Sequence, residues 1–129
     1  MRLIARDTLI SLALAVPVLI WVALTGQSNP WNLKTAAIYL VAAPVTEEIV
    51  FRGGVQEALL NKFSASLPKE TANIITSVLF ALLHLVFRRE LAALLVFFPS
   101  FALGWHYRMH RNLKVVIFIH FFYNFILFL

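Results

Sequence analysis

Two adjacent carboxylates and an arginine interrupt an apolar run in the first half of the chain. Glu47 and Glu48 follow Pro44, and Arg52 comes one helical turn later. Glu48 and Arg52 are four residues apart, so on a helix they share a face and can form an ion pair. Glu47 points about 100° away from Glu48 and has no such partner nearby. A carboxylate without a counter-charge in apolar surroundings holds a proton more readily, which suits it to proton transfer.

Three further polar residues with possible chemistry lie in later apolar segments. His120 and Asn124 are four residues apart and share one helix face, whereas His84 stands alone. An isolated histidine is more commonly a hydrogen-bonded or interfacial one, and a His–Asn pair can equally join two helices. Because polar side chains in lipid seek one another, one site shared with Glu47 is the least costly arrangement. It would contain a base, imidazoles and an amide donor, which can activate water and stabilise an oxyanion.

The elements that must position these residues are strongly apolar. The chain has 129 residues, of which 61% are apolar and 13% are charged, whereas a soluble domain is about half apolar and about a quarter charged. We therefore expect one integral membrane domain over residues 1–129.

The sequence contains no cysteine, which excludes disulfides and thiolate chemistry. The net charge of +5 comes from basic residues scattered between apolar runs, which favours membrane lipids over nucleic acid as partners.

Five apolar segments predict an all-α membrane bundle of about five transmembrane helices. They cover residues 8–24, 35–60, 71–87, 91–107 and 113–129. Spanning the hydrocarbon takes about 20 helical residues, with a lower limit near 17. Several segments are close to that limit, so we expect short or tilted helices.

The basic residues between these segments predict an orientation in the cell (inner) membrane. With five spans, the N-terminal side would hold Arg2, Arg6, Lys62, Lys69, Arg108, Arg111 and Lys114. The opposite side would hold Lys34, Arg88 and Arg89. The excess on the N-terminal side predicts a cytoplasmic N-terminus.

The histidines also raise the question of metal binding. Glu47, His84 and His120 could form a three-ligand zinc site, although the chain has no His-Glu-x-x-His pattern. The residues alone keep zinc open as the minority alternative. His106 and His110 are another pair one turn apart. Because basic residues flank them and disfavour a metal, we expect these two to contact lipid headgroups.

The polar residues resemble the signature of a known family. Its three motifs are similar to three patterns that occur here in the same order, Glu47-Glu48-x-x-x-Arg52, Phe80-x-x-x-His84 and His120-x-x-x-Asn124. The family is that of the CAAX prenyl proteases and bacteriocin-processing enzymes (CPBP, Abi), which are glutamic intramembrane proteases. The similarity covers about residues 36–124, and Gly104-Trp105 also resembles the family's pattern.

The resemblance implies an endopeptidase that hydrolyses a peptide bond of a membrane-tethered protein or peptide without a metal, and on that ground we expect no cofactor. The roles it implies are general base for Glu47, water binding for His84, oxyanion stabilisation for His120 and Asn124, and support for Glu48, Arg52 and Phe80. The small size and the run 94–100 look most like compact members paired with C-terminal sorting signals of the JDVT-CTERM type. The substrate would then carry such a signal, or else be a prenylated CAAX-like protein.

Two functions other than proteolysis remain open at the level of sequence. In a non-catalytic membrane immunity or scaffolding protein, the polar cluster would serve helix association alone. In a proton-coupled transporter, the carboxylates would carry protons, but the short chain without an evident internal repeat counts against this.

Overall fold

The computed structural model describes residues 2–14, 16, 17, 20, 24, 32–63 and 65–128. Apart from short connections, these residues are helical, and no strand occurs in them. The elements are α1 (Arg2–Leu14), α2 (residues 33–63), α3 (Lys69–Arg88), a 3₁₀ turn (Leu91–Val96), α4 (Phe97–His110) and α5 (Leu113–Phe128). The predicted all-α fold is confirmed.

The helices agree with the predicted segments to within three residues at each end, apart from the first. α1 begins at Arg2 rather than at Thr8, and most of the predicted segment beyond Leu14 lies outside the described residues. The fourth segment starts as the 3₁₀ turn before it becomes α4. Hydrophobic periodicity therefore located α2 to α5 well, because each is bounded by charged or turn-forming residues.

α2 alternates between α-helical and wider π-helical turns. Its parts are Leu33–Ala37 (α), Ile38–Ala42 (π), Ala43–Glu48 (α), Ile49–Gln56 (π) and Glu57–Phe63 (α). The side chain of Asn32 caps the start by accepting a hydrogen bond from the Thr35 backbone N–H. π-turns are rare and frequently mark functional sites. Here they flank the short α-helical part that contains both glutamates.

α3 has the length and the surface of a membrane-spanning helix. Among the described helices it is the one long and apolar enough to cross a bilayer, while residues 113–127 form a shorter apolar helix. Its outward side carries exposed apolar side chains at helical spacing, Ile74, Ile75, Val78, Leu79, Leu82, Leu83 and Val86. A contiguous apolar stripe of this kind requires lipid or protein contact.

α4 is packed against α2 and α3 by hydrogen bonds to its backbone. Gln56 Nε2 donates to the Gly104 carbonyl oxygen at 2.8 Å, and Asn73 Nδ2 donates to the Phe101 carbonyl oxygen at 3.0 Å. A Cβ on Gly104 would lie only 1.8 Å from Asn73 Oδ1 and 2.8 Å from Gln56 Oε1. Gly104 therefore permits the close approach of three helices.

We expect Gly104→Ala to destabilise the protein by about 1–3 kcal/mol, because the added methyl group overpacks the contact and displaces both amides. Thermal unfolding in detergent measures the effect. Gly53→Ala is the matched control, since its Cβ would meet only Leu113 Cδ2 at an ordinary 3.7 Å. Equal unfolding temperatures for the two variants would contradict this account.

α1 contacts α4 through a second polar cluster. His110 Nε2 lies 3.0 Å from Asp7 Oδ2, and His106 Nε2 lies 3.1 Å from Thr8 Oγ1. His106 is fully buried and Asp7 is 2% exposed. The predicted contact with lipid headgroups is therefore wrong for the buried His106, whereas His110 is partly exposed beside Asp7. The reason is that α1 supplies their partners, which the sequence of α4 does not reveal.

Candidate active site

Glu48 and Arg52 form a fully buried ion pair within α2. Arg52 Nε lies 3.1 Å from Glu48 Oε2, and both side chains are 0% exposed. Arg52 Nη2 also donates to the carbonyl oxygen of Ser100 at 2.8 Å and approaches its Oγ at 2.9 Å. The guanidinium carbon lies 5.7 Å from the centre of the Phe80 ring. The pairing predicted from the four-residue spacing is confirmed, and it is anchored to α4.

His120 of α5 connects the two glutamates. Its Nδ1 lies 2.7 Å from Glu48 Oε1, and its Nε2 lies 3.7 Å from Glu47 Oε2. Because an ionised carboxylate only accepts hydrogen bonds, we assign a proton to Nδ1, which donates to Glu48. Nε2 is then the imidazole atom nearest to Glu47.

The two glutamates differ in how far their side chains are exposed. The side chain of Glu48 is completely buried and its oxygens face Arg52 and His120. The side chain of Glu47 is 28% exposed. Adjacent carboxylates in unlike surroundings can take separate roles in acid–base chemistry. Of the two carboxylates, only Glu47 reaches the surface of the helix bundle.

Phe80 of α3 separates the two predicted imidazoles of the site. Its ring centre lies 4.4 Å from that of His84 and 6.2 Å from that of His120. His84 Nδ1 donates to the Phe80 carbonyl oxygen at 2.9 Å. In the described part of the chain, His84 has no hydrogen bond to either glutamate or to His120. It borders the site across the Phe80 ring.

Asn124 contacts the backbone of α2. Its Nδ2 donates to the Tyr39 carbonyl oxygen at 2.8 Å. In a π-turn an N–H bonds to the carbonyl five residues earlier, and Ala43 N–H does so with Ile38. The next position is Pro44, which has no N–H to offer Tyr39. Asn124 thus supplies the donor that proline lacks, one turn before the glutamates.

We expect Asn124→Ala to lower the stability by about 1 kcal/mol and Pro44→Ala to compensate for part of this loss. The alanine at position 44 restores an N–H that can bond to Tyr39. A double-mutant cycle measured by thermal unfolding tests the coupling between the two positions. Strictly additive losses would contradict it.

Peptidase activity of the same variants separates two roles of Asn124. If it acts only by holding α2, Pro44→Ala restores activity together with stability. If its amide contacts the reacting group, as the family resemblance implies, Pro44→Ala restores stability without activity.

The structure brings together Glu47, Glu48, Arg52, Phe80 and His120, while His84 and Asn124 lie at the margin of this group. The described residues contain no group of three or more His, Cys, Asp or Glu side chains that could hold a metal ion. The expectation of no cofactor stays a prediction.

Sequence reasoning missed two supports of the site. Gln56 continues the buried stripe of Glu48 and Arg52 at the same four-residue interval, and Ser100 and Gly104 repeat that interval on α4. Arg52 donates to Ser100 and Gln56 donates to Gly104, while Glu48 is held by Arg52 and His120. The two four-residue intervals are visible in the sequence, but an interval gives only the face of each helix and does not show that α2 packs on α4.

Comparison with known proteins gives one family assignment. Residues 29–126 match the profile of the family described as type II CAAX prenyl endopeptidase, Rce1-like. The matched region covers more than half of the chain and includes every residue of the candidate site. No curated protein and no solved structure shows significant similarity to the chain.

Proposed function

The chain belongs to the Rce1-like family of type II CAAX prenyl endopeptidases, and we propose that its own reaction is hydrolysis of a peptide bond by water that Glu47 activates. The family is one of membrane-embedded proteases, so the general class of the protein is an intramembrane endopeptidase. Beyond this general class, we propose which residues react and which substrate is cut.

One observation supports this proposal above the others. His120 contacts both glutamates, at 2.7 Å and 3.7 Å, and of the two only Glu47 is partly exposed. Arg52 balances the charge of Glu48, so Glu48 can orient the imidazole without acting on substrate. Glu47 remains as the general base, which is the role that the family resemblance implies.

The proposed reaction starts with a water molecule between Glu47 and His120. The 3.7 Å separation of their nearest atoms is compatible with one water at roughly 2.8 Å from each. Glu47 takes a proton from this water as its oxygen bonds to the carbonyl carbon of the peptide. The carbon–nitrogen bond then breaks, and the departing nitrogen receives the proton from Glu47. The products are a carboxylic acid and an amine, and transfer of the acid's proton to the amine gives a carboxylate and an ammonium group.

The remaining residues support the reaction. His84 borders the site beside Phe80; since its Nδ1 donates to the Phe80 carbonyl, its Nε2 is the atom that would help to hold the water. His120 and Asn124 stabilise the oxyanion; an amide has two N–H donors, and the bond to Tyr39 uses one of them. Glu48, Arg52 and Phe80 position His120.

The proposed substrate is a membrane-tethered protein. An apolar cavity of about 360 Å³ lies between α3 and the 3₁₀ turn, with Ala81, Leu82, Leu94 and Phe98 among its lining residues. Ala81 follows Phe80 directly, so an apolar substrate segment in this cavity would lie near the site. The segment belongs either to a C-terminal sorting signal of the JDVT-CTERM type or to a prenylated CAAX-like protein.

Co-expression with both classes of substrate tests the proposal. Wild-type protein and Glu47→Ala are each produced with a membrane-tethered sorting-signal protein or a prenylated CAAX protein, and mass spectrometry maps the cut. We expect one substrate class to be cut, by the wild type alone. The purified enzyme should also remain active in the presence of a metal chelator. Full cleavage by purified Glu47→Ala would overturn the proposed mechanism.

A further inference from the structure

A cavity of about 290 Å³ lies where α2 ends, α3 begins and α4 ends. It starts at Leu59, twelve residues beyond Glu47 on the same helix, which is roughly 18 Å along the helix axis. Its lining includes apolar side chains, Leu60, Phe63 and Ile75, and cationic ones, Lys69, Arg108 and Arg111. The cavity is thus separate from the candidate active site and has a mixed character.

Acidic residues neutralise only part of the positive charge around this cavity. Arg108 Nη2 lies 2.9 Å from Glu70 Oε1, and Arg111 is paired with Glu57. Lys69 has no ion pair among the described residues. Arg108 Nε is buried and has no hydrogen-bond acceptor within the described ranges. Because a buried N–H without an acceptor is costly, an anionic group in the cavity would be stabilised there.

We propose that this cavity binds the phosphate-bearing headgroup of an anionic membrane lipid. Three helix ends meet at it, so in a membrane-embedded bundle it lies at the level of the lipid phosphates. Basic pockets between helices at this level bind such headgroups. Arg108 and Lys69 contact the phosphate, and the acyl chains begin on the apolar wall formed by Leu60, Phe63 and Ile75. The site does not depend on the proposed peptidase mechanism.

Native mass spectrometry of the purified full-length protein tests the proposal with phosphatidylglycerol and phosphatidylcholine as probes. The wild type should retain phosphatidylglycerol in preference to phosphatidylcholine. Lys69→Gln and Arg108→Gln should each weaken this retention about fivefold, because each removes one cation beside the phosphate. Glu70→Gln should strengthen it, because it releases Arg108 from its ion pair.

Lys34→Gln is the matched control. Lys34 is exposed near the start of α2, so this substitution removes the same charge far from the cavity. An equal loss in Lys34→Gln would show a diffuse surface attraction and overturn the proposal. The absence of a preference for phosphatidylglycerol in the wild type would do the same. Inorganic phosphate that displaces the lipid at equal concentration would show a site for soluble phosphate and overturn the lipid assignment. If Arg108→Gln fails to fold, Lys69→Gln and Glu70→Gln still test the proposal, because they should change the retention of phosphatidylglycerol in opposite directions.

Discussion

Replacing Glu47 by glutamine should lower kcat/KM for peptide hydrolysis by about 10²–10⁴-fold while the protein stays folded. Glutamine keeps the size of the side chain but cannot take a proton from water. Because the Glu47 side chain is 28% exposed, the loss of its charge should change the free energy of unfolding by only about 0.5 kcal/mol. A quantitative cleavage assay and thermal unfolding in the same detergent measure the two effects.

Glu90→Gln is the control for this experiment. It removes a carboxylate from an exposed position between α3 and the 3₁₀ turn, outside the candidate site, and should leave both the rate and the unfolding temperature unchanged. Normal turnover by Glu47→Gln would remove Glu47 from the mechanism. A large loss of stability would instead make Glu47 a structural residue, as in a scaffolding protein.

Replacing Arg52 by methionine should destabilise the protein by about 3–5 kcal/mol, the largest stability effect that we expect from one substitution. Methionine fills a similar space but leaves Glu48 as a buried carboxylate without its cation. Both side chains of the pair are 0% exposed, so water cannot replace the lost interaction. The hydrogen bonds from Arg52 to Ser100 would also be lost, which weakens the contact of α2 with α4.

The double variant Glu48→Gln with Arg52→Met shows whether charge causes this loss. Removing both charges leaves no uncompensated ion, so the double variant should be more stable than Arg52→Met alone. Thermal unfolding of the four proteins in one detergent gives the coupling energy. A double variant less stable than Arg52→Met would show that packing, rather than the buried charge, dominates.

The fold could be predicted largely from local patterns. Four of the five apolar segments correspond to helices within three residues, because helix boundaries depend on nearby charged and turn-forming residues. The ion pair of Glu48 and Arg52 was predictable for the same reason, since a four-residue interval brings two side chains together on any helix. The π-turns of α2 were not predicted, because apolar spacing does not distinguish π-helical from α-helical turns.

Contacts between helices could not be obtained in this way. Asp7 gave no signal as a partner of His110, because the two are separated by almost the whole chain. The contact of Asn124 also depended on the neighbouring helix α2. Pro44 has no N–H to donate to the Tyr39 carbonyl there, and Asn124 donates instead. Helix periodicity gives the face on which a residue lies, but not the depth or the rotation at which two faces meet.

The buried glutamates illustrate this division. The sequence alone determined that Glu48 pairs with Arg52 and that Glu47 points elsewhere, because these relations follow from the geometry of one helix. Only the tertiary structure decided that His120 reaches both carboxylates and that Glu47 is partly exposed while Glu48 is buried. Those properties depend on how α5 approaches α2 and on which part of α2 is covered by α4. Such long-range packing is the combined result of all the helix contacts in the bundle.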